Sequence, residues 1–169
     1  MYQGNFIFYI SHMTLHVGNQ APQFILYNTE KKQISLNDYK GKTLIILFFP
    51  FAFTGVCTEE LCNINNEFSY YTKMGAEILG ISVDSPFTLA KFREELDLTF
   101  ELLSDFNKEV CQMYSSYYDE FVFNLKGVAK RSVFVVDAQG IIRYIEIKDD
   151  AGELPNFQAI QKIISELHS

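Results

Sequence analysis

Cys57 closes the segment Pro50-Phe51-Ala52-Phe53-Thr54-Gly55-Val56-Cys57, and its surroundings suit a reactive sulfur. The segment follows an apolar run, Leu44 to Phe49, of the length of a buried strand. It leads into Thr58-Glu59-Glu60-Leu61-Cys62, which reads as the first turn of a helix with acidic residues at its positive end. Free backbone N–H groups and the helix dipole at such a junction stabilise a thiolate, which is how a thiol pKa falls from about 8.5 toward or below neutrality. Cys57 is therefore a candidate nucleophile. Without that context it would read as a small buried hydrophobe.

The motif resembles that of a known family. Pro50, Thr54 and Cys57 match the Pro-x-x-x-Thr-x-x-Cys pattern of the peroxiredoxins, the thiol-dependent peroxidases. Glu60 stands three residues past the cysteine, where that family commonly has Glu or Gln. Cys62, five residues past it, resembles the bacterioferritin comigratory protein subgroup, while Phe51 to Cys57 also resembles one-cysteine relatives. Gly18 to Phe24, Ser35 to Lys42 and the run Arg131-Ser132-Val133-Phe134-Val135-Val136-Asp137 are similar to further family segments. The likeness runs from roughly Leu15 to the C-terminus.

That resemblance implies a peroxidase that reduces hydrogen peroxide and alkyl hydroperoxides, with Cys57 oxidised to a sulfenic acid. Such chemistry needs an ionised sulfur, donors for the transferring and departing oxygens, and little water. Thr54 offers a hydroxyl toward the thiolate or a peroxide oxygen, and it is also a natural helix cap. Pro50 ends the strand and, by the resemblance, shields the sulfur. The resemblance also brings Arg131 to Cys57, where its permanently charged guanidinium would favour the thiolate and hold an oxygen; from spacing alone Arg131 is a surface arginine. Glu60 would orient Arg131 through a charge-assisted hydrogen bond, or else remain a solvated first-turn glutamate.

Cys62 admits two readings. Residues five apart in an intact helix lie about 8–9 Å apart and face different sides, from a rise of about 1.5 Å per residue. A disulfide spans at most about 7 Å, so a Cys57–Cys62 bridge requires the helix to unwind. In one reading Cys62 attacks the sulfenic acid, and thioredoxin or a similar thiol protein reduces the resulting disulfide. In the other, Cys62 only packs and the enzyme depends on an external thiol. Cys111, in Glu109-Val110-Cys111-Gln112-Met113-Tyr114, reads as a packing residue, with an intersubunit or alternative resolving role as the other reading.

Composition narrows the alternatives. A net charge of −7 without clustered Lys and Arg argues against nucleic acid and against anionic membranes. Three cysteines do not suggest a secreted disulfide framework, which points to a reducing, cytoplasmic setting. The histidines, His12, His16 and His168, sit near the ends of the chain, so neither a cysteine–histidine protease pair nor a metal site is expected. No metal and no organic cofactor are expected. A thioredoxin-type disulfide exchanger is disfavoured, because four residues rather than two separate Cys57 from Cys62 and Lys130-Arg131-Ser132 has no proline. A redox sensor or chaperone-like binding protein using the same thiol is the alternative of a different class. A homodimer is compatible with the resemblance, and the aromatic-rich stretch Tyr114 to Phe123 could serve one, although local core packing is its default reading.

The elements that must hold these groups alternate. Short strands are expected at Phe24 to Tyr27 and Gln33 to Leu36, then the central strand Leu44 to Phe49. A helix is expected from about Thr58 to Met74, a strand at Ile78 to Val83, and a helix opened by Ser85-Pro86. Ser104-Asp105 should cap another helix running through Val110 and Tyr114. Val133 to Val136 and Ile141 to Ile147 read as a hairpin, and Leu154 to Leu167 as a closing amphipathic helix. The fold class is α/β: a mixed sheet with helices on both faces, the thioredoxin-like arrangement that the resemblance also implies. Residues 13–169 read as one domain. Ser11-His12-Met13 looks like a cloning remnant, so residues 1–12 are read as an expression remnant or flexible N-terminus; a native N-terminal strand is the other reading.

Overall fold

A computed structural model describes residues 14–169, so the reading of Ser11-His12-Met13 and of residues 1–12 lies outside the described chain. A hairpin comes first, β1 (Ile25–Asn28) against β2 (Gln33–Ser35), followed by a 3-10 turn at Leu36–Tyr39 that Ser35 and Asp38 close with a reciprocal capping box. Then come β3 (Thr43–Phe48), α1 (Gly55–Asn66), α2 (Phe68–Lys73), β4 (Ala76–Ser82), α3 (Pro86–Glu95), β5 (Glu101–Ser104) and α4 (Glu109–Met113). A small pair, β6 (Tyr117–Tyr118) and β7 (Val128–Ala129), precedes the hairpin β8 (Ser132–Val136) and β9 (Ile142–Ile147), and α5 (Phe157–Leu167) closes the chain.

Seven strands form one sheet in the order β2-β1-β5-β4-β3-β8-β9. The β3–β4 and β4–β5 pairs are parallel and the others antiparallel, so the sheet is mixed, as the alternating pattern predicts. Because side chains alternate across a strand, β3 feeds two cores. Ile45 and Leu47 pack with Leu61 and Ile64 of α1, Leu89 and Phe92 of α3, and Ile160 and Ile164 of α5. Leu44, Ile46 and Phe48 face Leu36, Val110, Cys111 and Tyr114 on the other side. Every β3 residue is buried, which is why Leu44 to Phe49 reads as a continuous apolar run rather than an alternating one.

Four local expectations need correction. The helix expected from Thr58 to Met74 is two helices, and it starts three residues early, with Thr54 at the N-cap and Cys57 already in the first turn. The break falls at Glu67, after Asn65 and Asn66, and the Asn65 side chain leaves the helix to bond Thr99 and the Asp97 carbonyl. Strand β5 was not anticipated: four residues, Glu101-Leu102-Leu103-Ser104, are too few to show a period, and their pairing with β4 and β1 decides them. The helix expected directly after Asp105 is only Glu109–Met113. The Asp105 carboxylate does cap it, accepting from the N–H groups of Glu109, Val110 and Cys111. The closing helix starts at Phe157 rather than Leu154, because Asn156 is the cap and its side chain accepts from Ala159 N–H.

Other expectations hold. Ser85 caps α3 by accepting from Thr88 N–H, with Pro86 in the first turn. The β8–β9 turn is organised by Asp137: Oδ1 accepts from the N–H groups of Gln139 and Ile141, both at 2.9 Å, and Oδ2 from Arg143 Nε at 2.6 Å. Gly140 takes the left-handed conformation, φ 83°, that closes this turn. Among the described residues no helix is long and apolar enough to cross a membrane.

Candidate active site

Parallel strands β3 and β4 end side by side, Phe48 opposite Ile81, and the chain leaving β3 turns directly into α1. Pro50 is buried in the bend that ends the strand, where its missing N–H is no loss to the ladder. Phe53 adopts a left-handed backbone, φ 64°, and its ring packs on Phe92 with 5.0 Å between centroids. Thr54 follows in extended conformation as the N-cap of α1, and Cys57 occupies the third helical position. No side chain caps this end. Gly55, Val56 and Cys57 therefore present backbone N–H groups that no acceptor among the described residues satisfies. The positive end of α1 thus surrounds the sulfur, as the sequence pattern suggests.

The acidic residues do not sit where that pattern put them. The early start of α1 moves Glu59 and Glu60 out of the first turn, and one turn of helix carries Glu60 to the face it shares with Cys57. Glu60 is fully buried and its carboxylate pairs with Arg131 Nη1 in a close, buried ion pair. The reading of Glu60 as a solvated surface glutamate is therefore overturned. Its second oxygen, Oε1, has no hydrogen-bond partner among the described residues. Burial pushes the Glu60 carboxyl up, to about 7, against the pull of the Arg131 guanidinium.

Arg131 ends the connection from β7 to β8 and is only 1% exposed. Its Nη2 donates to Cys57 Sγ at 3.4 Å and to the Ala151 carbonyl at 2.9 Å, and its Nε donates to the same carbonyl at 3.2 Å. Burial pulls the guanidinium pKa down, but Glu60 and Cys57 outweigh it, so Arg131 holds its proton more tightly than usual. A guanidinium has five N–H donors. Four are engaged by Glu60, Ala151 and Cys57, which leaves one on Nη1.

The structure therefore brings Cys57, Glu60 and Arg131 into one contact network across 74 residues of chain, and Arg131 is no surface residue. Thr54 is exposed and its hydroxyl donates to the Phe51 carbonyl at 3.1 Å, rather than to the sulfur or to the helix N–H groups. Cys62 lies further along α1, partly buried, with a free thiol. With α1 intact through both cysteines, a Cys57–Cys62 bridge is out of reach until the helix opens. Cys111 is buried on the opposite face of the sheet, and burial beside Asp105 pushes its thiol up, which disfavours the thiolate there. The Ala151 carbonyl is a ligand of Arg131 that the sequence did not reveal, since a backbone group in a surface loop carries no signal of its type. Among the described residues no cluster of His, Cys, Asp and Glu could hold a metal ion.

A buried cysteine at a helix N-terminus, with an arginine donating to its sulfur, is equipped for nucleophilic attack on an electrophile that leaves as an anion. Comparison with known proteins agrees. The model of the AhpC/TSA family matches residues 17–145. The chain is 38% identical to a putative peroxiredoxin, bcp, of Coxiella burnetii over 77% of its own length and 87% of that protein's. It is 33% identical to peroxiredoxin Bcp of Escherichia coli K12, covering 78% and 85% of the two chains. A peroxiredoxin-like protein from Aquifex aeolicus has a similar crystal structure, with a TM-score of 0.82 and 26% identity, covering 91% of this chain and 88% of that one. On these matches the chain belongs to the AhpC/TSA family, the peroxiredoxins, and is a thiol-dependent peroxidase.

Proposed function

We propose that Cys57 is the peroxide-reducing sulfur and that Arg131, Thr54, Pro50 and Glu60 build the site around it. The observation that carries this is the 3.4 Å donation from Arg131 Nη2 to Cys57 Sγ, fixed from behind by Glu60 and the Ala151 carbonyl. In the first step the Cys57 thiolate attacks the terminal oxygen of hydrogen peroxide or a small alkyl hydroperoxide. An S–O bond forms, the O–O bond breaks, and water or an alcohol leaves after taking up a proton. The remaining Nη1 donor and the unpaired N–H groups of the first helical turn are the charge-stabilising groups for the transferring and departing oxygens. Pro50 closes the strand end against water, and Glu60 holds Arg131 in place.

Cys62 then resolves the sulfenic acid. Its thiolate attacks Cys57 sulfur, the S–O bond breaks and the hydroxide leaves as water after taking up a proton, and the disulfide is returned to two thiols by a thioredoxin-like dithiol, which is itself oxidised. This step requires the first turns of α1 to unwind. The reading places the protein in the cytoplasm, where such a reductant and three free thiols are at home. Self-association belongs to the same proposal: Phe106, Val122, Phe123 and Leu125 are exposed, and Phe106 and Leu125 share a groove with Phe51.

Treatment of the reduced protein with one equivalent of hydrogen peroxide, followed by cysteine mapping by mass spectrometry, tests the assignment. A linked Cys57–Cys62 peptide is the expected product. Oxidised Cys57 with Cys62 free would leave a one-cysteine enzyme served by an external thiol, and an unmodified Cys57 would end the assignment.

A further inference from the structure

We propose that Asp84 is a positioning residue of the peroxidase site: its carboxylate holds the Ala52 amide and so sets the loop that carries Pro50, Thr54 and the start of α1. The ladder between β3 and β4 extends one step past the strands, Phe49 N–H to the Ile81 carbonyl at 3.0 Å. Beyond that point backbone pairing stops, because the chain bends at Pro50. Asp84 takes over: its Oδ2 accepts from Ala52 N–H at 2.8 Å. Ala52 is buried, so without this carboxylate its N–H would face the interior unpaired.

Asp84 is itself fixed from three sides. Ser82 Oγ donates to the same Oδ2 at 2.7 Å, the Asp84 N–H donates to Ser82 Oγ at 3.2 Å, and the Asp84 carbonyl accepts from Ser104 Oγ at 2.6 Å. Among the described residues no Lys or Arg forms an ion pair with Asp84, so its carboxylate is dedicated to the Ser82 hydroxyl and the loop amide. The residue after Ala52 is Phe53, in the left-handed conformation that a β-carbon disfavours. A bond to the Phe51–Ala52 peptide, one residue ahead of the Ala52–Phe53 peptide, together with the Phe53–Phe92 ring contact, holds the chain on both sides of that conformation. The orientation of this peptide then directs Thr54 and the unpaired N–H groups of Gly55, Val56 and Cys57 toward the sulfur's surroundings. Asp84 touches none of the reacting atoms and acts through the loop.

The inference rests on Cys57 being the reacting sulfur, and the test separates the two. The second-order rate of oxidation by hydrogen peroxide and the rate of alkylation by iodoacetamide are measured for the wild type and for Asp84→Ala, Asp84→Asn, Ser104→Ala and Cys57→Ser. Asp84→Ala is expected to slow oxidation roughly tenfold to a hundredfold, because a misplacement on the order of 1 Å costs up to about a hundredfold. Its alkylation rate should fall several-fold less than its oxidation rate, since iodoacetamide needs the thiolate but not the oxygen-binding groups. Asp84→Asn keeps an acceptor for Ala52 N–H and should restore oxidation to within about threefold of wild type. Ser104→Ala removes only the backbone tether and leaves Ser82 on the carboxylate, so it should lower thermal stability while slowing oxidation by less than about threefold. Should Asp84→Ala not fold, Asp84→Ser replaces it, its hydroxyl too short to reach the amide. Wild-type oxidation in Asp84→Ala, equal losses in Ser104→Ala or Asp84→Asn, or a parallel fall in alkylation would each overturn the proposal. Peroxide consumption by Cys57→Ser would instead overturn the reading beneath it.

Discussion

Replacing Arg131 with methionine separates the catalytic from the structural role of the guanidinium. The side chain is 1% exposed and pairs with a fully buried Glu60. Its loss leaves a carboxyl group in the core without a partner, and breaking a buried pair in this way costs about 3–5 kcal/mol of stability. The sulfur loses a charge-assisted hydrogen bond at 3.4 Å, an interaction of about 1.5–3 kcal/mol. If that interaction is fully developed in the transition state, oxidation slows roughly 10- to 150-fold, at about 1.4 kcal/mol per decade. The double replacement Arg131→Met with Glu60→Leu removes the orphaned carboxyl as well, so it should recover most of the stability and none of the rate. The chain has no tryptophan, so peroxide consumption is followed by competition with a haem peroxidase, and stability by urea unfolding monitored by circular dichroism. A single variant oxidised within twofold of wild type would refute the reasoning. So would a double variant whose rate returns together with its stability, since Arg131 would then act only by holding the fold.

Three further results are expected. Cys57→Ser abolishes peroxide turnover, whereas Cys62→Ser leaves the first oxidation at its wild-type rate and arrests the protein as sulfenic acid, detectable by dimedone labelling; a wild-type turnover rate in Cys62→Ser with thioredoxin as reductant would remove its resolving role. Asp137→Asn keeps the turn's acceptor but discharges the pair with the half-exposed Arg143, a loss of about 0.5–1 kcal/mol at neutral pH after solvent screening. Burial acts to raise the Asp137 pKa, but the Ile141 and Gln139 N–H groups and Arg143 more than offset it and hold the carboxyl below its ordinary 3.8. Folding therefore releases a proton from Asp137, so its contribution is complete above 3.8 and disappears as pH falls through the lower folded value. The gap in urea midpoint between the two proteins should narrow from pH 7 toward pH 3, and a gap that widens would contradict the sign.

Much of the framework was legible because it is written in local patterns. The runs Leu44 to Phe49, Ile78 to Val83 and Val133 to Val136 became β3, β4 and β8, since a strand buried on both faces must be apolar throughout. Ser85-Pro86 and the Asp137 turn carry their own punctuation, and both held. The motif around Cys57 marked a nucleophile on its own, because a cysteine between a strand end and a helix start needs no distant residue to look reactive. What failed was also local but finer. The helix begins at Gly55 rather than Thr58, and a three-residue shift turns a glutamate at the solvent end of a helix into one facing the core. Strand β5 was lost because four residues cannot display a period.

The partners of the sulfur belong to another scale. Arg131 lies 74 residues from Cys57 in sequence, and the Asp84 carboxylate 32 residues from the amide it holds. The Ala151 carbonyl reaches Arg131 from the loop after β9. No spacing rule connects such pairs. They meet because β4 lies parallel to β3 on one side and β8 antiparallel on the other, so the end of β4 and the start of β8 both arrive where β3 ends. Residue types and local periods determined which groups could do chemistry here and which elements would carry them. The sheet order decided which of those groups touch, because the contacts that bury a charged pair against a sulfur are made only after long-range strand pairing has removed them from water.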